Sequence, residues 1–131
     1  MHSAAELLGP EGPFAREVPG FAPREAQQAM AAAVEEAIAD RQMLVAEAGT
    51  GTGKTYAYLV PALMSGKRVI VSTGTKALQD QLFHRDLPRV RAVLGARLSA
   101  ALLKGRANYL CLHRLDQAHK EGRFASREQA A

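Results

Sequence analysis

The chain has 131 residues, 47% of them hydrophobic, with 17 Lys and Arg against 13 Asp and Glu. That length holds one domain at most, and that hydrophobic fraction excludes a disordered polar tail. The net charge of +4 suits an anionic partner such as ATP or nucleic acid, and the single cysteine, Cys111, excludes an internal disulfide and so gives no sign of secretion.

Pro10, Pro13 and Pro19, with Gly9, Gly12 and Gly20, break regular structure, so residues 1–20 are expected to form a loose opening segment. A helix is expected from Pro23 to Ala39. Pro23 suits a first turn, Glu25 lies near the positive end, alanine dominates, and Met30, Val34 and Ile38 share a face. Met43-Leu44-Val45-Ala46 reads as a short buried strand. After a run of Gly and Thr, a helix is expected from about Gly53 to Met64, kinked but not ended by Pro61 and closed by Ser65-Gly66. Arg68 to Thr73 is a second, β-branched strand bounded by Gly66 and Gly74. Helices over Lys76–Phe83 and Pro88–Leu94 follow, then a third strand from Leu98 to Leu103 and a helix from Tyr109 to His119. This alternation implies an α/β fold, a parallel sheet with flanking crossover helices. The longest apolar run, Ala57 to Met64, is too short to span a bilayer. Glu6 and Glu11 stand where a secretory leader would be basic, and a soluble cytoplasmic protein is expected.

The most specific string is Ala48-Gly49-Thr50-Gly51-Thr52-Gly53-Lys54-Thr55. Glycines at alternate positions let the backbone turn tightly and aim its N–H groups at phosphate oxygens. The helix that follows adds its positive end. Lys54 would reach the β- and γ-phosphates of ATP, and the Thr55 hydroxyl would bind Mg²⁺. The alternative is a Gly/Thr-rich turn with an incidental lysine. The position between an apolar strand and a helix argues against it.

With Glu47 ahead of it, the same string resembles motif I of superfamily 2 helicases, specifically the DinG/YoaA group of XPD-like DNA helicases, in which Ala at the first position is usual. Three further strings agree in order. Phe21-Ala22-Pro23-Arg24-Glu25-Ala26-Gln27 resembles the adenine-sensing Q-motif. Val69 to Leu82, containing Ser72-Thr73-Gly74-Thr75-Lys76-Ala77-Leu78-Gln79, resembles motif Ia. Leu103 to Cys111 resembles the stretch leading into the first ligand of an iron–sulphur cluster. The likeness covers roughly residues 7 to 115. It implies a partial RecA-like P-loop NTPase lobe over residues 21–110 and the start of an iron–sulphur region over 111–131. It further implies an ATP-dependent, 5′-to-3′ helicase acting on single-stranded DNA in DNA repair, with ATP, Mg²⁺ and an iron–sulphur cluster as cofactors.

Each string also has a reading of its own. The Gln27 amide can pair with adenine N6 and N7, with Arg24 bracing it or touching phosphate; the two also suit an ordinary polar helix start. Phe21 reads as core before base-stacking platform. Ser72, Thr73 and Thr75 lie between a strand end and a helix start, where hydroxyls and amides bind a phosphate backbone without base specificity, and Lys76 and Gln79 can add contacts. Simple capping by Thr73 or Thr75 explains the same residues. Cys111 is one cysteine where a cluster needs four thiolates, and by itself reads as a small buried hydrophobe. His113 and His119 read as solvent-exposed.

Hydrolysis also needs an acidic motif to hold Mg²⁺ and position water. Asp80, Asp86 and Asp116 sit in helical or polar contexts that do not supply it. The chain is therefore expected to be the N-terminal part of a longer helicase and to be inactive alone. A different P-loop enzyme, such as a small-molecule kinase, and an inactive ATP-binding fragment are the competing readings.

Overall fold

A computed structural model describes residues 2–122. The chain forms two compact units, one up to Ser99 and one from Ala100 onward.

The first unit is helical. Helices α1 (Ala4–Leu7) and α2 (Pro13–Glu17) occupy the expected loose segment. A capping box starts α1: the Ser3 hydroxyl accepts the Glu6 N–H at 3.2 Å, and the Glu6 carboxylate accepts the Ser3 N–H at 2.8 Å. Pro13 opens α2 at a position where its missing N–H is harmless. Between them the chain doubles back so closely that a Cβ at Gly12 would collide with the Leu7 carbonyl. The glycines and prolines here punctuate helices and do not abolish them.

Helix α3 (Glu25–Asp40) and α4 (Lys54–Met64) form the centre of the unit, and α1 packs against both. Helix α4 continues through Pro61, which is buried. Then come α5 (Lys76–Gln81), a wide π-type turn over Leu82–Asp86, and α6 (Leu87–Leu94). Ala4, Leu8, Phe14, Ala31, Leu59, Val60, Leu82 and Val90 make one core. Each large apolar side chain buried there stabilises the fold by about 1.5–3 kcal/mol. Asp86, the last residue of this turn, is buried. Its carboxylate accepts from Arg85 Nε at 2.9 Å and Gln81 Nε2 at 3.3 Å. Those bonds offset its removal from water.

The expected parallel sheet is not formed among the described residues, which contain no strand. The segments at 43–46, 68–73 and 98–103 have no regular secondary structure, and none enters a ladder. The side chains explain what each segment lacks. Met43 and Val45 are 100% and 99% exposed while Leu44 is 42%; Ile70 is 94% exposed, with Val69 at 46% and Val71 at 38%. Alternation at period two is that of strands with one face partly covered and the other bare. A parallel strand is stabilised by neighbours on its edges and by layers on both faces. Leu44 and Ala46, with Met30, Val34 and Ile38 of α3, line an open groove of about 820 Å³. The apolar face expected on α3 lines this groove, and its Met30 also packs against the core.

The second unit contains a short 3₁₀ turn (Arg106–Asn108) and α7 (Leu112–Glu121). The Tyr109 hydroxyl accepts the Lys104 N–H at 2.8 Å, and Lys120 pairs with Asp116 at 2.7 Å.

Candidate phosphate-binding site

The 48–55 string forms a tight loop that runs directly into α4. Gly51 and Gly53 have φ of 80° and 81°, in the left-handed region that side chains disfavour. Gly53 is the residue before the first turn of α4, and no acidic side chain occupies that turn. The helix thus presents its positive end and unpaired N–H groups with no carboxylate to compete for them.

Lys54 reaches back across the loop. Its Nζ donates to the carbonyl oxygens of Ala48 at 2.7 Å and Gly49 at 2.9 Å. The Thr52 hydroxyl donates to the same Gly49 carbonyl at 2.8 Å. These bonds hold the loop closed around the lysine, while Gly49, Thr50 and Gly51 stay exposed. An ammonium group, glycine amides and a helix start on one short loop suit a polyanion.

Thr55 lies in the first turn of α4, close to Tyr58. Burial pushes the Tyr58 phenol up from its ordinary value; a hydrogen bond with Thr55 works against this, and the Asp86 carboxylate adds to the rise. One hydroxyl is a fitting protein contribution to a Mg²⁺ site, because that ion keeps most of its waters and takes other ligands from phosphates.

Beneath the loop, Gln27 of α3 is 2% exposed. Its Nε2 donates to the Gly53 carbonyl at 3.0 Å, and its Oε1 has no hydrogen-bond partner among the described residues. Arg24 stays exposed at the start of α3. Phe21 packs with Phe14 and Tyr56, at centroid separations of 5.9 and 6.0 Å, and these rings lean on the core. The aromatic group joins α2 to the first turn of α4 and so braces the loop. Sequence reasoning missed Phe14 and Tyr56 in this role; Pro13 opening a helix and Ser3 three residues before Glu6 were the available signals.

The 72–79 segment is arranged around Thr75. Its hydroxyl accepts the Leu78 N–H at 3.2 Å and caps α5, and the Thr73 hydroxyl donates to the Thr75 carbonyl at 3.3 Å. Ser72, Thr75 and Lys76 are exposed, and Gln79 is half-buried. Cys111, in the other unit, is exposed just ahead of α7, and His113 and His119 are exposed on α7 itself. One cysteine does not make a cluster. Among the described residues, no group of three His, Cys, Asp or Glu side chains is placed to hold a metal, and no helix is long and apolar enough to cross a membrane.

Residues 24–120 match the family described as DEAD/DEAH box helicase. The chain belongs to that family, which accords with a RecA-like lobe. It is 63% identical over 110 residues to the ATP-dependent DNA helicase YoaA of Escherichia coli, covering 84% of this chain and 17% of that protein. It is 55% identical over 118 residues to YoaA of Haemophilus influenzae, covering 90% of this chain and 18% of that one. Against the ATP-dependent helicase DinG of Mycobacterium tuberculosis it is 51% identical over 100 residues, 70% of this chain and 15% of the relative. The chain therefore spans less than a fifth of these relatives. No solved structure matches it.

Proposed function

We propose that this chain is the ATP-binding N-terminal part of a DNA helicase of the YoaA/DinG kind. The observation that carries the reading is the closed loop itself, with Lys54 folded onto the Ala48 and Gly49 carbonyls at the start of α4. In this reading the amides of Gly49, Thr50, Gly51, Thr52 and Gly53 hold phosphate oxygens, and Ala48 and Gly49 release the Lys54 ammonium to them. Thr55 contributes its hydroxyl to Mg²⁺, which supplies charge neutralisation when bound. Arg24 and Gln27 complete the α3 side of the site. Ser72, Thr73, Thr75, Lys76 and Gln79 form the surface that follows a single-stranded DNA backbone, by hydroxyl, amide and ammonium contacts without base readout. Translocation in the 5′-to-3′ direction, and one cluster ligand at Cys111 with three thiolates from elsewhere, rest on the family resemblance alone.

Hydrolysis requires an acidic group near Mg²⁺ and the attacking water. Asp86 is held by Arg85 of its own turn and by Gln81 at the end of α5. The 131-residue chain is thus expected to bind ATP weakly and to show no DNA-stimulated ATP hydrolysis. Titration with ATP·Mg²⁺, read by ³¹P resonance shifts, tests the binding. Shifts lost in Lys54→Ala support the reading, and equal affinities in the two proteins would refute it.

A further inference from the structure

We propose that the outward side of the π-type turn and α6, centred on Arg85 and Arg89, is a second phosphate-contacting surface, along which a single strand leaving Thr75 and Lys76 continues. The inference rests on the reading of the 72–79 segment as a surface for single-stranded DNA.

The charge of the first unit is divided along the chain. Residues 1–66 hold eight Asp and Glu against four Lys and Arg, whereas residues 67–99 hold seven Lys and Arg against two Asp. A division of that kind points to an anionic polymer on the basic side. The two aspartates of the basic part are withdrawn from the surface, Asp80 half-buried and Asp86 buried.

The basic part is built on one helical rod. The backbone stays in the right-handed region at Gln81, Leu82, Asp86 and Leu87, so α5, the π-type turn and α6 run on without a break from Lys76 to Leu94. The wide turn brings Leu82 and Leu87, five positions apart, onto the buried side together with Asp86 and Val90. Gln81, His84, Arg85, Pro88 and Arg89 are left exposed. Arg85 and Arg89 are one turn apart, about 5–6 Å between Cβ atoms, so both can meet one stretch of sugar–phosphate chain.

Arg85 is also held in place. Its Nε donates to Asp86 Oδ1 at 2.9 Å and its Nη2 to Oδ2 at 3.5 Å, while Gln81 Nε2 donates to the same carboxylate at 3.3 Å. The Asp86 side chain is 4% exposed and that of Arg85 is 51%. A buried carboxylate thus fixes one edge of a half-exposed guanidinium and leaves the other edge for an anion. A phosphate takes two parallel N–H groups from such an edge. A merely solvated arginine face needs no buried carboxylate beneath it, because burying that charge is costly. The contacts run to phosphate and not to base edges, so the surface is indifferent to sequence.

The test is fluorescence anisotropy of a labelled oligothymidylate with the 131-residue chain over a series of KCl concentrations. On a single strand each phosphate contact contributes about 0.7 to the slope of log Kd against log[KCl]. Arg89→Gln is expected to bind more weakly and to lower the slope by about 0.7. Arg85→Lys keeps the charge but loses the fork, so binding should weaken with little change of slope. Arg16→Gln removes a charge from α2 and should leave the slope as it is. An unchanged slope and affinity in Arg89→Gln would overturn the proposal, and so would an equal loss in Arg16→Gln, which would reduce the effect to net charge. Arg85→Lys binding as the parent does would remove Arg85 from the surface and overturn the proposal as stated. Lys76→Ala separates the two layers of argument. If it lowers the slope while Arg89→Gln does not, the 72–79 reading stands and this inference falls. If the parent chain shows no salt-dependent binding, the DNA reading falls and this inference with it.

Discussion

The Glu35 carboxylate accepts the backbone N–H of Ala4 at 3.0 Å, across 31 positions of sequence. An amide at the start of α1 thus finds its partner on the flank of α3, and the buried Ala4 and Leu8 follow it into the core. Glu35→Ala removes the acceptor and is expected to destabilise the first unit by about 1–2 kcal/mol. Glu35→Gln keeps an oxygen there and should recover most of that loss. Urea denaturation of both variants checks the pair; equal midpoints would show that the contact contributes nothing.

Gly53→Ala adds a methyl group where Gln27 already stands and forces an L side chain into φ of 81°. Strain of about 1–2 kcal/mol follows from the backbone alone. The double variant Gly53→Ala/Gln27→Ala relieves the collision but not the backbone strain. It should melt between the parent and Gly53→Ala. A double variant that melts with the parent would place the whole effect in the collision.

Arg41 ends α3 in the left-handed region, at φ of 56° and ψ of 41°, where glycine is the usual residue. Its N–H and that of Gln42 both bond to the Ala37 carbonyl, so the cap is complete apart from the Cβ. Arg41→Gly is expected to raise stability by about 0.5–1 kcal/mol, visible as a higher melting temperature. A lower one would mean that the arginine side chain supports the fold.

The Tyr58 phenol titrates above its ordinary value of 10.0, chiefly because it is buried. The folded state then holds the proton more tightly than the unfolded one. The associated stability is complete below the unfolded value and disappears as pH rises through the folded one. Ultraviolet titration at alkaline pH should show one of the three tyrosines ionising late, and Tyr58→Phe should remove that phase. A late phase that survives Tyr58→Phe belongs to another tyrosine.

The local signals in the chain proved sufficient where a helix is decided by its own residues. Helix α3 was expected over Pro23–Ala39 and runs over Glu25–Asp40; α4 was expected from Gly53 to Met64 and runs from Lys54 to Met64. Alanine, an apolar face and glycine punctuation act within one turn. Helices α1 and α2 were missed although Ser3 with Glu6 and Pro13 mark helix starts, because the surrounding glycines and prolines were read as breakers. The expected strands did not form: alternation of exposure at 43–45 and 69–71 is strand-like, but a ladder is a property of pairs, and hydropathy at Val69 to Val71 does not name a neighbour. The loop was legible as a tight glycine turn running into a helix, which Gly51, Gly53 and the start of α4 at Lys54 form. Its tie to Gln27 was not, because a hydrogen bond between residues so far apart in sequence is set by packing.

Bare side chains at Met43, Val45 and Ile70 affect the bulk behaviour of the protein. Copies at high concentration can cover these patches with one another, so turbidity should rise with concentration well before nucleotide sites saturate. Apolar attraction weakens on cooling. A dilute, cold solution should therefore remain monodisperse while a warm, concentrated one clouds, and gentle chilling should clear it again.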